Sequence, residues 1–112
     1  MIILNKTELE KLKEDFCSIH SEFVKFVIDI RKEVIAVGME MHRDLEIELY
    51  DNESNEKDLY GGNLYWNGKI DWQSHSNMKR NREKGQAFKG RVLDDEEIIV
   101  QLTDILNKWI WR

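Results

Sequence analysis

The chain has no proline and only one cysteine in 112 residues. A lone Cys17 excludes an intramolecular disulfide and any cysteine-rich zinc ribbon or finger, and its expected place is the apolar side of a helix. Nothing marks a stiff linker, a low-complexity tract or an internal repeat, so residues 1–112 are expected to form one α+β domain. Long apolar runs are also missing. No stretch approaches the ~20 residues of a membrane helix, and the opening MIILN lacks the charged start and apolar core of a signal peptide. The expectation is therefore a cytoplasmic protein with no membrane partner. No glycine-rich phosphate loop is present, and neither Cys17 nor Ser74 sits in a nucleophile elbow.

What is present is enough apolar sequence, 41%, for one core, and 35% charged residues with a net charge of −5. The charge is unevenly spread. Residues 1–58 carry −7, residues 59–93 carry +5 and residues 94–112 carry −3, so a basic island lies between two acidic regions.

Thr7 and Glu10 form a capping-box pattern, and Leu9, Leu12, Phe16 and Ile19 recur at helical spacing, which predicts a first helix ending near His20. From Phe23 the period becomes two. Val24, Phe26, Ile28 and Ile30 predict a central strand, and Val34 to Met39 its antiparallel neighbour. The run MEMHRDLEIEL fits a strand with Met39, Met41, Leu45, Ile47 and Leu49 inward. It also fits a helix beginning near Asp44 as cap, and strand to about Met41 followed by helix is favoured. In DLYGGNLYWNGKIDWQS, Asn67-Gly68 predicts a two-residue type I′ turn pairing Tyr65 with Ile70 and Leu64 with Asp71, with Tyr65, Ile70 and Trp72 on the core face. After Ser74 periodicity disappears, and residues 75–93 are expected to be a long loop. Asp94 with Glu97 caps a last helix whose Ile98, Leu102, Ile105 and Trp109 make a broad apolar stripe.

Two polar constellations stand out. Glu40, His42, Asp44 and Glu46 alternate, so on a strand they would share one face along ~20 Å. Neighbouring pairs, with Glu40, His42 and Asp44 as metal candidates, could chelate a divalent ion or tune His42 as a base. The plainer alternative is the solvated face of an amphipathic strand. His20 and His75 are the other imidazoles, and no motif places them beside His42. The second constellation is the island of Lys79, Arg80, Arg82, Lys84, Lys89 and Arg91, opposed by Glu83 alone. It could track phosphates, with Phe88 or Trp66 stacking on a base, or it could neutralise the acidic segment from Asp44 to Asp58.

The chain also resembles a small bacterial and archaeal family known only by a domain-of-unknown-function label. The pattern G-E-x-H-x-D-x-E falls on Glu40, His42, Asp44 and Glu46; S-x-x-x-D-L-W-G-x-N on Ser54, Asp58, Leu59, Gly61 and Asn63; S-x-x-N-x-R-P on Ser74 and Asn77; and the capped last helix on Asp94. Tyr60 stands where the family has Trp, Lys79 where it has Arg, and Arg80 where it has Pro. The resemblance implies a fold and a polar surface of His42, Asp44, Glu46, Asp58, Asn63, Ser74 and Asn77, without a reaction or a cofactor.

The expected architecture is an antiparallel sheet of about four strands in two hairpins, packed with the first and last helices. The expected function is a non-catalytic binding or interaction module using the polar loops beside the hairpin. The alternatives are a metal-assisted hydrolase built on His42, Asp44 and Glu46, a nucleic-acid binder through residues 79–91, and an acidic antitoxin or immunity-like inhibitor docking on a basic protein partner.

Overall fold

The computed structural model describes residues 1–112. Its centre is a four-stranded antiparallel sheet of β2 (Phe23–Asp29), β3 (Val34–Val37), β4 (Leu59–Tyr65) and β5 (Ile70–Asp71), in the order β3-β2-β4-β5. A two-residue strand β1 (Thr7–Glu8) pairs in parallel with β6 (Ile110–Trp111) and ties the two ends of the chain together. The helices are α1 (Leu9–Phe16), α2 (His42–Asp51), α3 (His75–Glu83) and α4 (Glu96–Trp109).

Strand β2 is central because it is apolar on both faces. Val24, Phe26 and Ile28 point into the larger core with Leu12 of α1 and Leu102, Ile105 and Leu106 of α4, while Val27 points the other way onto Leu45 and Leu49 of α2. Fully burying each such side chain contributes about 1.5–3 kcal/mol. The fold is α+β as expected, but the sheet is covered on both faces, by α1 and α4 on one side and α2 on the other, with α3 beside α2 along the β4 edge.

Several local expectations are corrected. Thr7 does not cap α1: it lies in β1, its hydroxyl donates to the Asn5 carbonyl, and the helix begins at Leu9 and stops at Phe16. Cys17, just beyond, is exposed. The cap of α4 is Asp95, which accepts from the N–H groups of Glu97 and Ile98, while Asp94 pairs with Lys89 at 2.7 Å. Helix α2 starts at His42 behind Met41, with no side-chain cap, so Asp44 sits in its first turn.

The β4–β5 turn is one residue longer than a type I′ turn. The Gly68 N–H donates to the Tyr65 carbonyl and the Tyr65 N–H to the Lys69 carbonyl, with Gly68 at φ +91 and Asn67 on the ordinary side of φ. This is a three-residue loop closed by a glycine bulge, which puts Leu64 opposite Ile70 and Asn63 opposite Asp71. The shift by one residue decides the faces. Leu64, Ile70 and Trp72 join the larger core with Trp66, and Tyr65 turns to the opposite face, where its ring meets Phe23 edge-on at 5.4 Å.

Candidate functional site

Residues 75–93 are not a long loop. Ser74 caps α3 by accepting from the Asn77 N–H, and the helix is fastened to the sheet by polar groups. Strand β5 pairs with β4 only at Asn63 and Leu64, which leaves the Gly61 backbone open at the edge. The Asn77 amide fills that gap as a neighbouring strand would: its Oδ1 accepts from Gly61 N–H at 2.9 Å, and its Nδ2 donates to the Gly61 carbonyl at 2.8 Å and to the Trp72 carbonyl. A Cβ on Gly61 would lie 2.7 Å from Ser74 Oγ, so only glycine lets α3 come this close. One turn on, buried Arg80 donates to the carbonyls of Leu59 and Glu56 and pairs with Glu83, and Asn81 donates to the carbonyls of Gly90 and Val92.

The basic island is thereby divided. Arg80 is buried in the α3 contact, Lys79 lies between Glu46 and Glu56 at 3.3 and 2.9 Å, and Lys89 holds Asp94. Arg82, Lys84 and Arg91 make no ion pair within the chain, and Phe88 between them is 85% exposed. The acidic segment is used in the same way. Glu46 is fully buried against Lys79 and Arg43, Glu48 holds the N-terminal amine, and Asp58 pairs with Arg31. Buried Asp29 accepts from Ser54 Oγ at 2.6 Å and from the N–H groups of Arg31 and Lys32, fixing the β2–β3 turn.

The helical start at His42 dissolves the expected row of Glu40, His42, Asp44 and Glu46. His42 and Glu46, four apart, share the buried side of α2, Glu40 is exposed before the helix, and Asp44 is half-buried on another side. No three His, Cys, Asp or Glu side chains come together as a metal site would need. Asn63 bonds Asp71 at 3.4 Å on the sheet face that carries Gly61, and its Oδ1 is buried without a partner.

What does converge is a pocket of about 250 Å³ lined by Lys25, Met41, His42, Arg43, His75 and Arg91. Its floor is the sheet. Lys25 replaces an apolar residue in the middle of β2, on the same face as Val27, at the place where α2 and α3 have not yet begun to cover the strand. Its walls are the first residues of α2 and α3, so the positive ends of two helix dipoles meet here, one of them uncapped. Its rim is Arg91, positioned by the Gln73–Val92 bridge and by Ser74 N–H donating to the Arg91 carbonyl.

The lining contains no carboxylate. Arg43 has Glu46 at 3.6 Å, whereas Lys25 and Arg91 have no ion-pair partner. Burial, and then the Arg91 guanidinium, push the Lys25 pKa down. His42 donates from Nε2 to the Gly62 carbonyl at 2.8 Å, since a carbonyl can only accept. Its pKa is pushed down to about 4, first by burial and further by Lys25 and Arg91, against the opposing pull of the Gly62 bond and Glu46. The imidazole is thus neutral near pH 7, with Nδ1 carrying a lone pair.

A family described as a protein of unknown function, DUF5674, matches residues 1–109. The chain belongs to the DUF5674 family. No curated protein and no solved structure matches it. In this DUF5674 protein, of the polar residues singled out from the sequence Ser74 and Asn77 fasten α3 and His42 lines the pocket, whereas Glu46, Asp58 and Asn63 pair with Lys79, Arg31 and Asp71 and, like Asp44, are not part of its lining. Lys25, Arg43 and His75 were missed as pocket residues. Lys25 did carry a signal, a lysine inside the otherwise apolar FVKFVID, while His75 becomes visible only once residues 75–83 are known to be helical.

Proposed function

We propose that this protein is a non-catalytic binding module for a small anionic ligand, held in the pocket between the N-termini of α2 and α3. The observation that carries this reading is the unpaired juxtaposition of Lys25 and Arg91 in a concave lining with no carboxylate. Like charges brought together without a counter-ion destabilise the empty protein, and such a local conflict belongs at functional sites. A phosphate or carboxylate group would relieve it through charge-assisted hydrogen bonds from Lys25, Arg43 and Arg91 and from the N–H groups of His42 and Arg43 at the start of α2, where the Asp44 N–H is already bonded to the Met41 carbonyl. The membrane enters neither side of this reading, and no helix of the chain is long and apolar enough to cross one.

The test is a calorimetric titration of inorganic phosphate at low ionic strength, with Arg91→Ala alongside. Sub-millimolar binding that weakens with salt is expected, together with a loss of about tenfold or more in the variant, the order of one charge-assisted bond. The same substitution removes a like-charge neighbour of Lys25, so the unliganded variant is expected to be no less stable than the native chain in urea. Absence of phosphate binding, or equal binding by both proteins, would reject the pocket.

A further inference from the structure

Apart from the weak Met41 thioether, the side-chain acceptors of the pocket are its two imidazoles, His42 and His75. Lys25, Arg43 and Arg91 can only donate, as can the backbone N–H groups at the start of α2. His42 is different because its Nε2–H is committed to the Gly62 carbonyl. Its Nδ1 has no hydrogen-bond partner in the chain, and it is not among the polar atoms sealed from solvent. Held in this tautomer by the Gly62 bond, His42 presents a fixed acceptor to the cavity, whereas no hydrogen bond within the chain fixes the His75 tautomer. A ligand made only of anionic oxygens would set one lone pair against another at that point, and a ligand with a hydroxyl would complete the set.

We propose that the ligand is a hydroxylated phosphate ester, its phosphate held by Lys25 and Arg91 and its hydroxyl donating to His42 Nδ1. This rests on the anion pocket described above and narrows its ligand class. The volume agrees with it. At ~30 Å³ per water, about 250 Å³ has room for several non-hydrogen atoms beyond a phosphate group. Sites that hydrogen-bond a substrate hydroxyl discriminate against the analogue lacking it, because the buried polar group is then left without a partner.

The experiment compares glycerol phosphate with n-propyl phosphate, which has the same chain length and no hydroxyl. At pH 8 both esters are dianions, since the second ionisation lies near pH 6, so charge does not distinguish them. Calorimetric titration of the native protein is expected to give about tenfold tighter binding of glycerol phosphate. In His42→Leu, which removes the imidazole lone pair and puts no acceptor in its place, that ratio should fall below about twofold. Should the variant not fold, the imidazole ¹⁵N resonances of the native protein supply the second measurement: Nδ1 should shift with glycerol phosphate and not with propyl phosphate. Equal affinity for the two esters would overturn the hydroxyl assignment and leave the anion pocket standing. A preference that persists in His42→Leu, or an unmoved Nδ1, would also overturn it. Binding of neither ester would reject the anion pocket itself.

Discussion

Asn77→Ala is expected to lower the free energy of unfolding by about 3 kcal/mol, read as a fall in the urea midpoint at unchanged slope. The substitution leaves both Gly61 N–H and Gly61 C=O buried without partners, and it also removes a bond to Trp72 O. Each buried group left unsatisfied costs roughly 1–3 kcal/mol, against a total stability of only about 5–15 kcal/mol for a domain of this kind. Ser74→Ala is the comparison, since it removes only the cap on Asn77 N–H and is expected to cost about 1 kcal/mol. If Asn77→Ala cost less than Ser74→Ala, the Asn77 amide would not be the group that holds α3 on the sheet edge.

The second large effect is on pH. His42 has a folded pKa of about 4 against a reference value of 6.5, so between these values the unfolded chain binds more protons than the folded one. The stability associated with the neutral imidazole is therefore fully present above about pH 6.5 and is lost progressively as the pH falls to about 4. At 1.36 kcal/mol per pKa unit the loss is about 3 kcal/mol. The charged and titratable groups around the ring act in both directions: Lys25 from β2 and Arg91 from the rim oppose the imidazolium, and Glu46 on the same helix favours it. Arg43 and His75 complete the lining. Glu56 adds a separate acid-side loss at lower pH, because its hydrogen bond to Lys79 holds its carboxyl below the usual range. Urea unfolding at half-unit steps from pH 7.5 to 4 should show the decline, and an NMR titration of the His42 ring should show no protonation until near pH 4. A ring that titrates at about 6.5 would contradict the assigned burial and tautomer.

The parts of the fold that could be read in advance are those in which apolar residues carry the packing. Val24, Phe26 and Ile28 mark the central strand by their period, and Leu102, Ile105 and Leu106 mark the face of α4. Helix α3 was invisible for the opposite reason, since its buried residues are Ser76, Asn77, Arg80 and Asn81, and a helix docked through amides and a guanidinium has no apolar stripe to detect. The turn was a choice between two glycine-closed loops with the same residues. Tertiary packing settled it, because only the longer loop puts Leu64 in the core and brings Trp66 against it. Asp94 and Asp95 are equally good caps in isolation, and β1 took Thr7 from α1 because Ile110 was there to pair with it. The pocket was half legible. His42 was singled out for a row of alternating residues that the helix abolished, yet the helix places its ring where Lys25 and Arg91 also point.

Anion binding in the pocket between the two helix N-termini is measured most directly by an amide-resolved NMR titration with inorganic phosphate at low ionic strength. The N–H signals of His42, Arg43 and His75, with that of Lys25 on the floor, are expected to shift together along one saturating curve, while those of Arg82 and Lys84 on the far part of α3 and just beyond it stay in place. Shifts spread over every exposed basic residue with no saturation, or no shift at His42 and Arg43, would contradict it.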